Sequence, residues 1–563
     1  MTYSSDALRR KYEEECAKRT RPDGALVFLE LQDYPDLDKD PFVDYESLRA
    51  KQLLKDNDEI KFLIIGAGHS GLLTAVRLVQ AGFAPEDIVL VDKAGGFGGV
   101  WYWNRYPGLT CDIEGSVYLP LLEETGYMPK HRYSHGPEIR EHANRIARTW
   151  KLRGQFTTRV YSQEWDEKDA RWIVRMIEHR GPGRPERNLS VRAQFVFCSP
   201  GTFHTSRVPN TPGFEDFRRT HPVFHTARWD YSVTGGSEEH PELTKLSDKT
   251  VAIVGTGATS IQVVPQLAEW SQNLYVFQRT PSYVGPRTQK EMEPKTWAKI
   301  AYGPGWQKAR QENFIKTTTG EPMDEDLIGD GWSSAVGFSG ITGSSAKGKI
   351  SPDNVAQHID ELYALDVPHT ESIRRHIESE VHDKEKAERL KPWYGSWCKR
   401  PTFHNDYLPA FNRENVTLID TDGKGIEKYT PDGIVAGGKE YKVDVLVLAT
   451  GFNSAGTAVS IAARAGMSII GKGRKSIDEK WKPSEFGSLH GVATNGFPNL
   501  FFYTTANAAV HSNMTACLDM CAIHSAHIIA EAMRRTGGSE KTVVEVTREA
   551  EEAWGAEIAK RAR

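Results

Sequence analysis

The sequence predicts an α/β protein built on two β-α-β units, with a helical insertion set late into the second. Three observations predict it. The apolar run KFLIIG opens a glycine turn and a helix, SGLLTAVRLVQAG, before a second apolar run, DIVLVDK. The same order recurs from KTVAIVGTG to NLYVFQRT. Between about 289 and 390 the chain is charged and helix-patterned, and a further apolar strand, VDVLVLATG, comes after it. Strand, glycine turn, helix and strand in that order are the form of a Rossmann-like dinucleotide-binding domain, so two such domains are expected.

Taken in order, residues 1–57 read as an N-terminal extension. There DALRRKYEEECAKR has helical spacing and mixed charge, and LQDYPDLDKDPF is a polar linker carrying two prolines. Residues 58–165 are assigned to the first dinucleotide domain and 166–288 to the second. Residues 289–390 form the helical insertion on the substrate side, 391–451 return to the second domain, and 452–563 return to the first. A glycine- and serine-rich stretch within the insertion, GFSGITGSSAKGK, has the composition of a mobile lid.

Composition adds exclusions. A formal net charge of -4 over 563 residues offers no general attraction to nucleic acid or anionic lipid. The six cysteines are scattered without a C-x-x-C or Cys/His pattern, so neither a metal site nor a disulfide framework is expected. The start, MTYSSDALRRKYEEEC, lacks the apolar core of a signal peptide, and no run approaches about 18 uncharged apolar residues. The expectation is a cytoplasmic protein with no membrane or nucleic-acid partner, monomeric or weakly homo-oligomeric.

The glycine turns carry the first chemistry. IIGAGHSG sets Gly66, Gly68 and Gly71 in G-x-G-x-x-G order. The first glycine allows the tight turn, the second lets a pyrophosphate approach the backbone, and the third lets helix and strand pack closely. The helix N-terminus adds amides and a positive dipole end. Asp92 ends the next strand, where a carboxylate can accept hydrogen bonds from a ribose. In the second turn, IVGTGATS, Gly255 and Gly257 keep their places and Ser260 stands for the third glycine. Arg279 ends the following strand where the first unit has Asp92, and a cation there suits a 2′-phosphate. Two different dinucleotides, FAD at the first turn and NADPH at the second, point to hydride transfer from nicotinamide to flavin.

One stretch is more specific. GGVWYWNRYPGLTCD, residues 98–112, has the form G-G-x-W-x-x-x-x-Y-P-G-x-x-x-D and resembles the flavin-adjacent motif of type I Baeyer–Villiger monooxygenases. FHTARWDY resembles the tail of that family's F-x-G-x-x-x-H-x-x-x-W-P/D fingerprint through His225, Trp229 and Asp230. Its head departs: Phe217 lies two residues too far upstream, and Arg219 stands in place of the glycine. Lys399-Arg400 matches the family's Lys-Arg pair, VLVLATGF its ATG strand, and GFPNLFFY its late segment. The extension and the wording KRPTFHNDYLPAFN are similar to the subgroup acting on large-ring and polycyclic ketones.

The resemblance implies a C4a-peroxyflavin, formed when O2 adds to flavin reduced by NADPH. It attacks a ketone carbonyl, and one carbon then migrates to give an ester or lactone. Arg400 would stabilise the negative charge, because a guanidinium stays protonated and donates from a rigid fork. Asp112 would orient it. Trp101, Tyr106 and Tyr118 would pack around the flavin, with Val160 near its adenine and Gly99, Val100, Asn104, Thr110 and Cys111 beside them. On the other side, Thr256, Ala258, Thr259 and Gln262 would follow the second turn toward NADPH. Lys399 and Arg279 would hold its 2′-phosphate with Thr280, and Asn507 would reach the cofactors from the late segment. His225 and Trp229 would couple the linker to domain motion.

A ketone and O2 are thus the expected small-molecule partners, the ketone bulky and cyclic or polycyclic. The alternatives are a flavin N- or S-monooxygenase, which shares both turns and the ATG strand but needs no Arg/Asp pair at these positions, and a non-catalytic NADPH sensor.

Overall fold

The computed structural model describes residues 5–20, 22, 24–50, 53–203, 205–339, 350–453, 460–482, 487–504, 508 and 511–561. Both expected β-α-β units form. Glu59–Ile65 and Ile88–Val91 pair in parallel, and their apolar residues are buried on both faces. Helix His69–Gln80 covers one face with Leu72, Leu73 and Val76, and packs there against Ala522, Ala526 and Ile529 of helix Met514–Arg535. A forked ion pair from Arg77 to Asp519, at 2.7 and 2.6 Å, pins the two helices together.

The parallel strands of this sheet run Arg153–Gln155, Ile88–Val91, Glu59–Ile65, Arg187–Cys198 and Leu500–Phe502. Arg187–Cys198 is long enough to serve two partners along one edge. Its residues 187–193 pair antiparallel with Arg171–Glu178, and residues 196–198 pair in parallel with Leu500–Phe502. Thr158–Asp166 pairs antiparallel with Arg171–Glu178, and Ser468–Ile470 adds to it in parallel. A domain boundary at 165/166 is therefore corrected: Arg171–Glu178 and Arg187–Cys198 hydrogen-bond within the first sheet, and the chain leaves it only after Cys198. Every second residue of Arg171–Glu178 is buried, and such alternation announces a strand without saying which sheet receives it.

The second sheet is parallel throughout, in the order Val416–Asp420, Asn273–Gln278, Thr250–Val254, Val445–Leu448 and Val223–His225. The insertion supplies helices Pro294–Ile300, Trp306–Thr319, Gly331–Ser334, Val355–Glu380 and Lys384–Leu390. It is fastened to the first domain by the buried Glu114 carboxylate, which takes Arg310 at 2.7 Å and Arg132 at 3.1 Å. Gln307 adds a second fastening, donating to the Leu119 carbonyl at 2.7 Å and accepting from the Leu122 amide at 2.9 Å. Residues 340–349, most of the expected lid, lie outside the described residues.

The N-terminal extension is built into the fold. After helix Ser5–Arg19, Phe28–Glu30 pairs antiparallel with Arg207–Pro209. Further along, Asp38 accepts from buried Arg228 at 2.8 Å, and Asp40 from the Tyr102 hydroxyl at 2.8 Å. Among the described residues no helix is long and apolar enough to cross a membrane, and no three His, Cys, Asp or Glu side chains gather to hold a metal ion.

Candidate active site

At the first turn each glycine answers to a different neighbour. Gly66 has φ +113°, and a Cβ there would stand 2.1 Å from the Ser199 carbonyl oxygen. A Cβ on Gly71 would stand 1.9 Å from the Gly66 carbonyl oxygen, and one on Gly99 would stand 2.7 Å from Gly68 Cα. Asp92 lies half-buried beneath this turn, and its carboxylate accepts from the Ala67 amide at 2.7 Å and the Ala94 amide at 2.9 Å. Burial raises its pKa in spite of those amides. His69 opens the following helix with Nε2 buried and without a hydrogen-bond partner, its ring 5.9 Å from that of Tyr118. Burial pushes its imidazole down to about 3, so it is neutral. An unanswered polar atom beside helix N-terminal amides and aromatic rings fits a ring-bearing, phosphate-bearing cofactor such as FAD.

The second turn makes the same bend with one change. Gly255 has φ +108°, and its Cβ would stand 2.5 Å from the Ala449 carbonyl oxygen. Fully buried Ser260 donates its hydroxyl to the Gly255 carbonyl at 2.6 Å, the counterpart of the carbonyl that leaves Gly71 no room. Nothing stands within 4 Å of a Cβ built on Gly257, so open space lies over this turn. The Thr256 hydroxyl donates to the Thr280 carbonyl at 2.8 Å and joins the turn to the end of the next strand.

A cavity of about 1050 Å³ opens here between the two domains' elements. One wall carries Val100, Trp101, Asn104, Tyr106, Thr110, Cys111, Asp112 and Tyr118. The opposite wall carries Gly255, Thr256, Gly257, Ala258, Thr259, Gln262, Arg279 and Thr280, with Lys399 and Arg400 between. Trp101 Nε1 donates to the Tyr118 hydroxyl at 2.9 Å, and the two rings meet edge to face. Gln262 accepts from the Thr110 amide at 2.9 Å and donates back to the Thr110 carbonyl at 3.3 Å, which ties the aromatic stretch to helix Ser260–Trp270.

Arg400 and Asp112 meet across this space through two parallel hydrogen bonds, of 2.6 and 2.7 Å. The Asp112 side chain is 10% exposed and that of Arg400 46%, and the exposure of Arg400 is into the cavity. Burial disfavours the guanidinium charge, but the Asp112 carboxylate outweighs it and raises the pKa. The Trp332 ring lies 4.9 Å from the guanidinium carbon on the insertion side. Lys399 and Arg279 are close enough to feel each other. Burial first, then Arg279 and Arg19, push the Lys399 ammonium down to about 8. Burial and Arg279 likewise lower Arg207. Cations crowded in this way favour an anion among them, as the 2′-phosphate of NADPH would be.

Several residues fall elsewhere. Gly66, Gly68, Gly71, Asp92, Gly99, Ser260 and Val160 lie outside the cavity wall. Val160 is buried in the apolar core with Trp172, Val174 and Met176. Asn507 lies outside the described residues. His225 is fully buried, with burial pushing it down to about 3, and its ring meets that of Phe452 just past the ATG strand. Sequence reasoning missed Trp332, Arg207, Phe28 and His511, all of which line the cavity. Only Trp332 carried a local signal: Asp330 caps its short helix by accepting from the Trp332 and Ser333 amides.

Residues 64–130 match the family described as an NAD(P)-binding Rossmann-like domain. The polycyclic ketone monooxygenase of Thermothelomyces thermophilus is 47% identical over 99% of this chain and 86% of its own length. A solved structure of the polycyclic ketone monooxygenase from Thermothelomyces thermophila superposes with a TM-score of 0.94, at 46% identity over 98% of this chain and 89% of that one. The chermesin D/asnovolin J monooxidase of Aspergillus novofumigatus is 42% identical over 99% of this chain and 86% of its own length. A steroid monooxygenase bound to NADP has a TM-score of 0.70 at 26% identity, covering 90% of this chain and 91% of that one. With likeness of this depth over nearly the whole length, and an Arg/Asp pair set between two dinucleotide turns, the chain belongs to the type I Baeyer–Villiger monooxygenases.

Proposed function

We propose that the protein uses FAD and NADPH to insert one atom of O2 beside the carbonyl of a bulky cyclic or polycyclic ketone, giving an ester or lactone. The other oxygen atom leaves as water, and NADPH with one proton supplies the electrons. The observation that carries this reading is the forked Arg400–Asp112 pair at the wall shared by both dinucleotide turns. Bound FAD and NADPH supply the electron transfer and the activation of O2. The chain's own residues hold and polarise. Arg400 stays protonated at any working pH and donates to the negative charge that develops on the carbonyl oxygen. Asp112 keeps the guanidinium plane in place, and Trp332 limits its movement on the far side. Trp101 and Tyr118, joined by their hydrogen bond, form an apolar wall for the flavin ring. Arg279 and Lys399 take the 2′-phosphate, while Gly257 leaves room for the pyrophosphate.

The substrates in the relatives' names support a bulky ketone. Heteroatom oxygenation is the second reading, and the Arg400–Asp112 fork counts against it. The deciding experiment is to purify the flavin-loaded protein and follow NADPH oxidation with small, macrocyclic and steroid-like ketones while identifying products. Lactone from the larger ketones is the expected result. Turnover with amines or sulfides and none with ketones would overturn the proposal.

A further inference from the structure

The N-terminal arm reaches the second dinucleotide site. Val27 and Phe28 line the cavity together with Arg207, Arg279 and Lys399. Phe28 is placed by backbone pairing: it stands opposite Pro209, and Glu30 opposite Arg207, in a short antiparallel ladder. The Asn210 amide donates to the Val27 carbonyl at 2.9 Å, and the Leu31 amide to the Ser206 carbonyl at 2.8 Å, so the ladder is closed at both ends. The Arg207 guanidinium carbon lies 4.6 Å from the centre of the Phe28 ring, and that of Arg279 lies 5.6 Å from it. One ring therefore serves two cations, and burial first, then Arg279, lowers the pKa of Arg207.

The preceding helix closes on the same site. Lys18 donates to Asp422 at 3.0 Å, and the Gly423 amide donates to the Arg279 carbonyl at 3.1 Å. A Cβ on Gly423 would stand 2.6 Å from the Lys18 carbonyl oxygen, so arm and loop touch backbone to backbone. Arg19, at the end of this helix, adds to the positive field around Lys399.

We propose that Phe28 is a positioning residue for the choice of NADPH over NADH, its ring holding Arg207 and Arg279 side by side as a cradle for the 2′-phosphate. The proposal rests on reading Arg279 and Lys399 as the phosphate-binding pair, and it adds Arg207 and the arm to them. The ring is negative on its face, so it lowers the energy of two adjacent guanidinium groups that would otherwise swing apart. An aliphatic side chain of similar size packs in the same place but lacks that property.

The test uses the full-length, flavin-loaded protein and compares KM for NADPH and for NADH. Phe28→Leu is expected to raise KM for NADPH about tenfold, as loss of two cation–ring contacts implies, while KM for NADH moves less than about twofold. Phe28→Tyr, which keeps the ring face, is expected to restore the preference. Arg279→Ala tests the underlying reading separately. If it leaves the NADPH-to-NADH ratio unchanged, the phosphate reading falls and takes this proposal with it. If Arg279→Ala abolishes the preference while Phe28→Leu does not alter it, or weakens both nucleotides equally, only the role of Phe28 is overturned. Should Phe28→Leu fail to load flavin, Arg207→Gln carries the test, because an unchanged ratio there also overturns the cradle.

Discussion

Arg400 and Asp112 stand 288 residues apart in the chain and meet through two parallel hydrogen bonds. A guanidinium held by its carboxylate partner costs little to orient when charge develops nearby, which makes this pair the residue-scale centre of the proposed chemistry. Arg400→Ala is expected to leave NADPH-driven flavin reduction running while lactone formation falls by roughly a hundred- to a thousandfold or more. Anaerobic reduction followed spectroscopically, beside chromatographic product analysis, separates the two steps; unimpaired lactone formation would remove Arg400 from the mechanism. Lys399 gives a pH prediction. Its pKa of about 8 means that it is charged below that pH and neutral above it, and a 2′-phosphate attracts only the charged form. NADP affinity should therefore fall as pH rises from 7 to 9, by up to roughly tenfold for the loss of one proton. Lys399→Arg should flatten that profile in a titration monitored by flavin fluorescence, because a guanidinium does not titrate there.

At the scale of elements, the two glycine turns look alike in sequence and differ in what they leave open. Gly71 has the Gly66 carbonyl where a Cβ would go, and Gly68 has Gly99 Cα 3.2 Å from that place, whereas Gly257, the counterpart of Gly68, has nothing within 4 Å. Gly71→Ala should disrupt the first turn and yield protein largely without flavin. Gly257→Ala should fold with flavin bound and show its defect as a raised KM for NADPH. Equal flavin content in the two variants would contradict the division of labour between the turns. These turns were legible because their signals are local: a strand, a bend and a helix within about twenty residues. The strand Arg187–Cys198 shows the opposite case. Its character was legible, but its membership of the first sheet was not, because pairing is settled by partners as distant as Glu59–Ile65 and Leu500–Phe502.

For the molecule as a whole, the insertion and the arm add walls to the cavity between the two nucleotide domains. Glu114 is nearly inaccessible and faces both Arg132, 18 residues further along the first domain, and Arg310 on insertion helix Trp306–Thr319. Glu114→Gln would leave two buried cations without their carboxylate, a loss of about 3–5 kcal/mol for a broken buried pair. The expected outcome is a marked drop in the temperature at which the protein releases its flavin. An unchanged release temperature would mean that the insertion is held by its apolar contacts alone. The arm lines the other end of the cavity, where Phe28 lies against Arg207 and Arg279, and away from it Asp38 and Asp40 grip Arg228 and Tyr102.

The sequence by itself determined the two dinucleotide turns, the aromatic motif ending at Asp112, the Lys399-Arg400 pair and the helical nature of the insertion, because each is written in spacing over a short stretch. Only the tertiary structure decided that Trp332 lies 4.9 Å from the guanidinium and that Phe28 stands beside Arg279. It also decided that Val160 belongs to the core and that the first sheet runs on to Cys198. The reason is physical. Spacing along a chain records which face of an element is apolar, but contacts between distant segments depend on how whole elements pack, and no short stretch of sequence contains both partners.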